Sequence, residues 1–438
     1  MTWKTVELAG WGRVLTGETQ AARPEKPAAL FRAQAATPCP AVGARRSYGD
    51  APLNTGGRVV LTERLDRIVS ADLETGHIVA EAGVGLATLL RTFAPKGWMP
   101  PVMPGTGFAT VGGAIAMDVH GKNHHGAGTF GQHVAAIDLA TPAGPRRITP
   151  DGDAALWRAT VGGLGQTGPI LRADLRLSPC SSQLIQVDER RAPDLDTHMA
   201  MLRDSRATYC VGWIDGTARG DALGRGILEE AELTSSTMAP ALRKTRRVPI
   251  DAPAFALSPP TVRAFNRLYY GRVPRDGRGV LRALEDFFFP LDKIHDWNRL
   301  YGKRGFHQFQ CVLPDATAPD TLRAMLMRIS DAGLASPLAV LKRTGPGREG
   351  YLSFPMEGYT LALDFPNGAS ARALIETLNQ MTLDAQGRVY FAKDSTATPA
   401  MAAAMYPELP TWRDAVAKVD PTGAYATDLV RRLGLRDG

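Results

Sequence analysis

Glycine-rich loops are the first residues of this sequence whose spacing could do chemistry. One covers residues 43–50 and reads GARRSYGD, and a second covers residues 104–113 and reads PGTGFATVGG. Consecutive backbone N–H groups in such loops can point at one anion, and phosphate oxygens suit them well. The two loops therefore predict a phosphate-binding site, although either loop taken alone is also explained as a structural turn.

A third glycine-rich loop, residues 162–168 with the sequence GGLGQTG, formally matches the pattern GxGxxG. The dinucleotide-binding fingerprint requires a helix directly after this pattern. Here Pro169 follows, and the alternating run at residues 170–177 predicts a strand. We therefore reject an NAD site at this loop.

Histidines are concentrated in and beside the segment HGKNHH at residues 120–125. His120 and His124 are four residues apart, which on a helix would place two metal ligands on one face. Glycines inside and after the segment disfavour such a helix, and no cysteine or close carboxylate pair completes a ligand set. We expect no metal and interpret the segment as a loop that faces a cofactor or substrate, with an ordinary surface loop as the alternative.

A single lysine, Lys393 in the segment YFAKDS, follows a strand-like run near the C-terminus. On its own it is also explained as a surface lysine paired with Asp394. The sequence contains no GxSxG elbow, Walker loop, HExxH motif or kinase motif set. The familiar hydrolase and kinase chemistries therefore have no support in this chain.

The elements that must position these residues are short strands and short helices. Residues 20–180 contain β-like runs at 58–62, 77–82 and 134–141, and apolar residues at helical spacing at 86–94. Strands do not alternate regularly with long helices, so this part predicts an α+β domain rather than a nucleotide-binding parallel sheet.

The chain from residue 183 to 387 predicts a second α+β domain. Strand-like runs and helical patterns alternate irregularly there: strands at 208–215, 308–313, 338–341 and 359–365, and helices at 319–332 and 369–381. The Pro- and Arg-rich stretch at 234–260 predicts a disordered loop or a mobile lid. After residue 388, Gly- and Asp-punctuated segments end in a predicted helix at 422–433.

Composition limits the class of protein. The 438 residues are 44% hydrophobic and 22% charged, which is typical of a globular chain, and no apolar run is long enough for a membrane span. The N-terminus shows no signal peptide, and four widely spaced cysteines predict reduced, buried thiols, so we expect a cytoplasmic protein. The net charge of +7 comes from scattered arginines without a nucleic-acid-binding module, and we expect no nucleic acid partner.

Taken together, the motifs resemble those of a known family. They occur in a fixed order: SYGD at 47–50, the loop at 104–113, HGKNHH at 120–125, the loop at 162–168, KDS at 393–395, and DPTG at 420–423 followed by Arg432 and Leu433. This set resembles the vanillyl-alcohol-oxidase family of flavoenzymes over essentially the whole chain. HGKNHH and KDS resemble its subgroup of polyprenylphosphoryl-β-D-ribose 2′-oxidases.

The resemblance implies a two-domain α+β fold of the PCMH type. Residues 1–182 would form the FAD-binding domain, residues 183–387 an inserted substrate-binding cap domain on an antiparallel sheet, and residues 388–438 a segment that returns to the FAD domain. Gly112 and Gly113 would let the backbone approach the flavin where a Cβ would clash. Relatives that attach flavin covalently carry a histidine at the position of Arg46, so FAD is expected to bind non-covalently here. The expected FAD-binding residues are Gly43, Ala44, Arg45, Arg46, Ser47, Tyr48, Gly105, Thr106, Gly107, Thr110, Val111, Gly112, Gly113, His120, Gly121, Asn123, Gly163, Gly168, Ile170 and Tyr390.

The implied reaction is hydride transfer from a secondary alcohol carbon to flavin N5, with loss of the hydroxyl proton. Lys393 would hydrogen-bond the reacting hydroxyl or stabilise reduced flavin, and His120, the second catalytic candidate, would help to orient the sugar. Gln308 and Gln310, two apart on one strand, face the same side. The expected substrate-binding residues are Lys122, Trp213, Gln308, Gln310, Lys342, Ala362 and Lys393, with Lys342 near the substrate phosphate and Tyr48 as a further wall residue.

One position departs from the family pattern. Ala362 stands where the characterised mycobacterial type has a cysteine. A thiol is not needed for hydride transfer, so the departure concerns pocket shape and thiol-directed inhibition rather than activity.

The resemblance also implies partners. A short-chain reductase would complete the epimerisation to an arabinose donor. Independently of the resemblance, the arginines of the stretch at 234–260 predict that it rests peripherally on an anionic membrane and admits a lipid tail. Two alternatives stay open: a soluble sugar-alcohol or aldono-1,4-lactone oxidase on the same fold, and a basic binding protein that has lost its flavin. The intact glycine loops argue against the second alternative.

Overall fold

The computed structural model describes residues 2–142, 144–241, 243–334 and 337–436. The outermost residues of the predicted first and last domains, Met1 and residues 437–438, lie outside this part.

Strands are distributed along most of the described chain. They are β1 (Lys4–Ala9), β2 (Thr16–Ala22), β3 (Ala41–Val42), β4 (Arg58–Leu61), β5 (Ile68–Asp72), β6 (His77–Glu81), β7 (Trp98–Met99), β8 (Val134–Thr141), β9 (Gly144–Ile148), β10 (Ile170–Arg176), β11 (Ser178–Pro179), β12 (Leu184–Ala192), β13 (Tyr209–Ile214), β14 (Gly226–Leu233), β15 (Arg246–Arg247), β16 (Arg278–Ala283), β17 (Ile294–His295), β18 (Phe306–Leu313), β19 (Ala339–Thr344), β20 (Gly358–Pro366) and β21 (Arg388–Val389).

Helices are mostly short. The α-helices are α1 (Pro27–Ala36), α2 (Leu86–Phe93), α3 (Val111–Ala116), α4 (His124–Ala127), α5 (Ala154–Thr160), α6 (Leu195–Asp204), α7 (Pro259–Gly271), α8 (Leu284–Phe288), α9 (Ala318–Ala332), α10 (Ala369–Asp384), α11 (Pro399–Met405), α12 (Leu409–Ala417) and α13 (Asp428–Arg432). Short 3₁₀ helices are formed by Thr62–Arg64, Ala94–Lys96, Phe130–His133, Gly220–Ala222, Ala254–Leu257 and Trp297–Tyr301.

Two sheets organise the first part of the chain. The N-terminal sheet has the order β1-β2-β4-β3, with β4 parallel to both of its neighbours. The second sheet has the order β5-β6-β10-β8-β9 and is antiparallel throughout. The predicted strands at 58–62, 77–82 and 134–141 are confirmed as β4, β6 and β8, and the predicted helix at 86–94 as α2.

The large sheet organises the rest of the chain. Its order is β16-β12-β14-β13-β19-β20-β18-β21, and its pairs are antiparallel. Helices α9 and α10 cover one face, where Leu322, Met325 and Ile329 of α9 are completely buried. The opposite face of the central strands is the one that reaches the cavity described below. Short helices combined with antiparallel sheets confirm the predicted α+β class.

Local sequence explains where several elements begin. Asp153, Asp194 and Thr398 each precede a helix, and their side-chain oxygens accept a hydrogen bond from a backbone N–H of its first turn. In β10 the apolar residues alternate with charged ones, and the charged side chains point away from the core.

The structure corrects the prediction for the C-terminal segment. The predicted helix at 422–433 is confirmed only for Asp428–Arg432, and its predicted start is wrong. The Asp420 carboxylate accepts hydrogen bonds from the backbone N–H groups of Ala424 and Tyr425 at 3.0 and 3.1 Å, and this turn replaces the helical ladder. Two further helices that were not predicted, α11 and α12, lie between residues 399 and 417.

The Arg-rich stretch at 234–260 is mostly exposed in the part that the structure describes, which excludes residue 242, and two of its parts contact the rest of the chain. The β15 strand pairs with β17, and the Arg243 side chain pairs with Glu285 at 3.1 Å and Asp286 at 3.2 Å. The four cysteines are buried free thiols, as predicted. Among the described residues, no helix is long and apolar enough to cross a membrane.

Candidate active site

A cavity of about 1530 Å³ lies where the glycine-rich loops of the first part of the chain meet the large sheet. A site for one drug-sized ligand occupies roughly 300–1,000 Å³. The cavity therefore has room for a cofactor together with a substrate.

The first glycine-rich loop begins where β3 ends. Within the part of the chain that the structure describes, no acceptor takes a hydrogen bond from the backbone N–H groups of residues 43–47. Arg45 adopts a left-handed conformation with φ 52°, which turns successive N–H groups toward one side. The loop therefore presents a row of free donors to the cavity, as an anion-binding site requires.

The second glycine-rich loop lies against the first. A Cβ on Gly43 would come within 2.7 Å of Thr110 Oγ1, so the first loop needs glycine for this approach. Thr110 also caps α3, because its Oγ1 accepts a hydrogen bond from Gly113 N at 3.2 Å. The Gly107 N–H donates to Asp292 Oδ2 at 2.7 Å, which ties the loop to the segment after α8.

Gly112 and Gly113 differ from the expectation that both face a cofactor. A Cβ on Gly112 would lie 2.9 Å from Ala82 Cβ, so glycine is needed there for packing inside the protein. A Cβ on Gly113 would meet only Thr110 Oγ1, and Gly113 lines the cavity. Glycine at 112 is therefore explained by packing inside the protein, whereas Gly113 leaves room for a ligand in the cavity.

Arg46 lies between two aromatic rings at the cavity wall. Its guanidinium carbon is 4.2 Å from the centre of Trp11 and 4.5 Å from the centre of Phe108. Burial lowers the pKa of Arg46, and its buried Nε has no hydrogen-bond partner among the described residues. A guanidinium held in this way offers hydrogen bonds and positive charge to a ligand.

His120 is the histidine of the HGKNHH segment that lines the cavity. Its Nε2 lies 3.1 Å from Gln310 Nε2, and its ring packs 5.4 Å from both Phe354 and Tyr390. Burial holds the pKa of His120 well below its ordinary value, and the nearby charge of Lys342 lowers it further. The imidazole is therefore neutral, and its buried Nδ1 has no partner in the described chain.

The other histidines of this region hold loops together. His124 Nδ1 accepts a hydrogen bond from the Gly345 N–H at 3.1 Å, His125 Nε2 lies 2.9 Å from Ala207 O, and His133 Nε2 lies 2.9 Å from Ala127 O. Among the described residues, no three His, Cys, Asp or Glu side chains are grouped to hold a metal ion.

One face of the large sheet forms the floor of the cavity. Four residues lie opposite one another on neighbouring strands of this face: Gln310 on β18, Ala362 on β20, Val340 on β19 and Trp213 on β13. A parallel row contains Lys342 and Thr360. The two predicted glutamines do share this face, and Gln308 Nε2 donates to Asp364 Oδ1 at 2.5 Å.

Lys393 lies between an aromatic face and a buried carboxyl. Its Nζ is 3.8 Å from the centre of the Tyr48 ring. Burial lowers the pKa of Lys393 to about 7, although the negative charge of Asp364 acts in the opposite direction. Burial also raises the pKa of Asp364 to about 7. Both groups can therefore change protonation state near neutral pH.

Two further lysines make the cavity cationic. Lys122 Nζ donates to Phe287 O at 2.5 Å and lies 3.8 Å from the centre of the Phe287 ring. Burial lowers the pKa of Lys122 and of Lys342 to about 8, and the charge of Lys122 also lowers that of Lys342. Such partly desolvated ammonium groups attract an anionic ligand.

Sequence reasoning missed the ion pairs that hold Lys393 in place. Arg432 forms two bonds to the Asp50 carboxylate at 2.7 and 2.8 Å, and it also pairs with Asp394 at 3.0 Å. The Tyr48 N–H donates to Ala392 O at 2.9 Å. A Cβ on Gly49 would lie 2.0 Å from Asp394 O, so this contact requires glycine. The sequence signal for these ion pairs is the Asp that occurs in both SYGD and KDS. The spacing of these motifs does not show that both carboxylates pair with Arg432.

Most of the predicted site residues line the cavity. They are Gly43, Ala44, Arg45, Arg46, Ser47, Tyr48, Gly105, Thr106, Thr110, Gly113, His120, Gly121, Lys122, Trp213, Gln308, Gln310, Lys342, Ala362, Tyr390 and Lys393. The cavity wall does not include Gly107, Val111, Gly112, Asn123, Gly163, Gly168 or Ile170. In place of Gly163 and Gly168, the third loop contributes Leu164 and Gly165.

Packing explains several of these seven positions. Val111 is completely buried, and Asn123 Nδ2 donates to Pro101 O at 2.8 Å. A Cβ on Gly163 would lie 1.7 Å from Ala159 O. These residues pack inside the protein and stabilise the conformation of the loops that line the cavity.

Fold and site together define the class of the protein. Residues 26–149 match the family model described as FAD binding domain. The free N–H groups of residues 43–47 suit a pyrophosphate, and the unpartnered Arg46 Nε and His120 Nδ1 suit a polar ring system, so the residues present fit FAD. The protein is an FAD-dependent oxidoreductase.

Comparison with known proteins identifies the family within the FAD-dependent oxidoreductases. The chain is 36% identical to the decaprenylphosphoryl-β-D-ribose oxidase of Mycolicibacterium smegmatis, over 98% of each chain. It therefore belongs to the decaprenylphosphoryl-β-D-ribose oxidase family. It is also 37% identical to an uncharacterised protein of Streptomyces coelicolor, over 80% of this chain and 100% of the relative. An uncharacterised oxidoreductase of Rhodococcoides fascians matches at 28% identity over 32% of each chain.

Proposed function

We propose that this protein oxidises the 2′-hydroxyl of a polyprenylphosphoryl-β-D-ribose to a 2′-keto sugar. The observation that supports this best is the joint lining of one cavity by two kinds of groups. Free N–H donors of residues 43–47 suit the cofactor, and Lys393, His120 and Gln310 suit a sugar hydroxyl. The substrate named for the Mycolicibacterium relative is consistent with this arrangement.

We propose that different domains bind the cofactor and the substrate. Residues 1–182 hold FAD, residues 183–387 form the substrate cap, and residues 388–438 return to the FAD domain and bring Lys393 into the cavity. The β21 strand at 388–389 belongs to the large sheet, so the return begins directly after that strand. Arg46 has no nucleophilic ring nitrogen, and we therefore propose that FAD is held non-covalently.

The hydrogen on the sugar C2′ carbon would leave as a hydride, for which FAD, when bound, would supply the acceptor at flavin N5. Lys393 accepts the hydroxyl proton, because its pKa of about 7 leaves much of the amine neutral at neutral pH. The Tyr48 ring below the ammonium group stabilises the protonated form that results.

Uncharged polar groups orient the sugar. Gln310 and Gln308 project from one face of β18, and Asp364 fixes the Gln308 amide at 2.5 Å. His120 is neutral and contacts Gln310, so it positions that amide without adding charge next to the reacting hydroxyl. Lys342 and Lys122 supply positive charge for the substrate phosphate.

The product of this reaction requires a second enzyme. A 2′-keto sugar becomes the arabinose epimer only when a hydride is returned to C2′ from the opposite face. We propose a short-chain reductase as that partner. We also propose peripheral contact with an anionic membrane through Lys244, Arg246 and Arg247, which are exposed while Arg243 is turned inward.

Chemical trapping of the product tests the proposed position of oxidation. The enzyme is incubated with a polyprenylphosphoryl-β-D-ribose and an artificial electron acceptor that reoxidises the flavin. The product is then reduced with sodium borodeuteride and analysed by mass spectrometry. We expect deuterium at C2′ in a mixture of ribose and arabinose products. Deuterium at another carbon would contradict the proposal, and so would faster turnover of free sugar alcohols or aldono-1,4-lactones.

A further inference from the structure

An apolar surface of the protein is continuous with the cavity. Among the large hydrophobic side chains that remain exposed are Met238, Phe265, Leu268 and Leu281, at 66%, 46%, 76% and 46%. Three of them, Met238, Phe265 and Leu281, also line the cavity. An exposed apolar patch at the opening of a binding site commonly marks the place where an apolar ligand or partner is bound.

An aromatic series connects this patch to the floor of the cavity. The Trp213 ring on β13 lies 4.8 Å from the Tyr269 ring, and Tyr269 stacks on Phe265 at 5.8 Å with an angle of 17°. Phe265, Leu268 and Tyr269 are three and four residues apart on α7, so they share one side of the helix. The series therefore runs without interruption from the sheet to the surface.

The register of the strands sets the distance between Trp213, where the aromatic series begins, and Gln310, which is proposed to orient the sugar. Gln310 and Trp213 lie at the two ends of the four-residue row across the large sheet. Three strand spacings separate them, which is about 14 Å. Between these two ends the row contains only Ala362 and Val340, and Lys342 lies beside it in the next row. Going across the sheet from Gln310 toward Trp213, the cavity floor therefore presents first a polar side chain, then a cation, and then apolar side chains.

Two arginines hold the aromatic series in position. The Arg272 guanidinium lies 4.3 Å above the Tyr269 ring and donates to Tyr269 Oη at 3.1 Å. It is anchored at 2.7 Å to Glu189, a completely buried carboxylate that also pairs with Arg282. An ion-pair network of this kind fixes the Tyr269 side chain, so the apolar path is preformed.

We propose that the side chains Trp213, Tyr269, Phe265 and Leu268, together with Leu281 and Met238, form a channel for the polyprenyl chain of the substrate. This inference rests on the proposed function. The phosphate lies near Lys342 and Lys122, and the first isoprene units pass over Trp213 and Tyr269 and leave the protein along α7. These side chains therefore determine the preference for a lipid-linked sugar over a free one.

Chain-length dependence tests the channel. The holoenzyme is given two substrates with the same head group, farnesylphosphoryl-β-D-ribose and methylphosphoryl-β-D-ribose, and kcat/KM is measured for each. Leu268→Ser and Phe265→Ser are compared with Met327→Ser, which is 52% exposed on α9 and does not line the cavity. We expect the farnesyl-to-methyl ratio of kcat/KM to fall about tenfold in each channel variant and to stay constant in the control.

Each other outcome overturns the inference. An unchanged ratio in both channel variants would mean that the lipid chain takes another path. A loss of binding to anionic vesicles with an unchanged ratio would assign the patch to the membrane surface instead. Failure of the proposed function is recognised separately, because neither substrate would then reduce the flavin of the unaltered protein.

Discussion

At the scale of single residues, the proposed transfer of the hydroxyl proton depends on Lys393. Replacing it in a Lys393→Met variant is expected to slow flavin reduction by about 10²–10⁴-fold, because the hydroxyl proton then has no acceptor. In the unaltered protein the pKa of about 7 means that the amine is protonated below pH 7 and neutral above it. The rate of flavin reduction should therefore rise with pH through about 7 and then level off.

Asp364 provides the control for this pH profile. Its pKa is also raised to about 7 by burial, so the same rise could in principle belong to its carboxyl. We expect an Asp364→Asn variant to keep the rise and the Lys393→Met variant to lose it, measured by stopped-flow reduction under anaerobic conditions. The assignment of the proton acceptor is wrong if the Asp364 variant alone loses the rise.

A second prediction at this scale concerns the reactivity of a thiol introduced at position 362. The native thiols are buried, and burial raises the pKa of Cys39 and Cys210 to about 11, so iodoacetamide should inactivate the protein slowly. An Ala362→Cys variant should be inactivated at least tenfold faster, because position 362 lines the cavity, and substrate should protect it. Ala373→Cys, on the exposed side of α10, is the control that reacts with the reagent but keeps its activity.

At the scale of elements, Arg432 links the loop at 43–50 to the segment that carries Lys393. Its loss in Arg432→Gln leaves the Asp50 and Asp394 carboxylates, both nearly buried, without their cation. We expect a loss of about 3 kcal/mol in unfolding free energy and clearly weaker FAD binding, measured by urea denaturation and by flavin fluorescence.

The neighbouring Arg431 offers a matched comparison on the same helix. It is half-exposed, pairs with Asp428 in its own helix and donates to the Asn54 side-chain oxygen at 2.7 Å, but it has no contact with Asp50 or Asp394. The Arg431→Gln variant should therefore lose less than about 1 kcal/mol and bind FAD normally. Equal losses in the two variants would show that Arg432 has no special role in connecting the two segments.

Local patterns predicted the elements well and their connections poorly. The alternation in 134–141 and the helical spacing in 86–94 are properties of neighbouring residues, and the structure confirms both elements. The helix predicted at 422–433 begins only at Asp428, because the Asp420 carboxylate accepts hydrogen bonds from two backbone N–H groups, a competition that the apolar spacing does not reveal. The Asp50–Arg432 pair joins residues 382 positions apart, and no local signal could identify it.

At the scale of the whole molecule, the account requires a cofactor that is bound tightly but not covalently. Precipitation of the purified holoprotein with acid should therefore release all of the flavin into the supernatant. Chromatography of the supernatant should identify it as FAD. A yellow pellet would mean that a nucleophilic side chain elsewhere in the cavity attaches the flavin, and His120 and His295, which line the cavity, would be the first to replace.

The central claim is that the protein oxidises a lipid-linked ribose in this cavity and that the flavin is reduced in the same step. The most direct measurement is the visible flavin spectrum of the holoprotein, recorded without oxygen before and after addition of a polyprenylphosphoryl-β-D-ribose. The account predicts that the oxidised flavin band disappears on addition of the substrate and returns with an electron acceptor. A flavin band that stays unchanged with this substrate, but disappears with dithionite, would contradict the account.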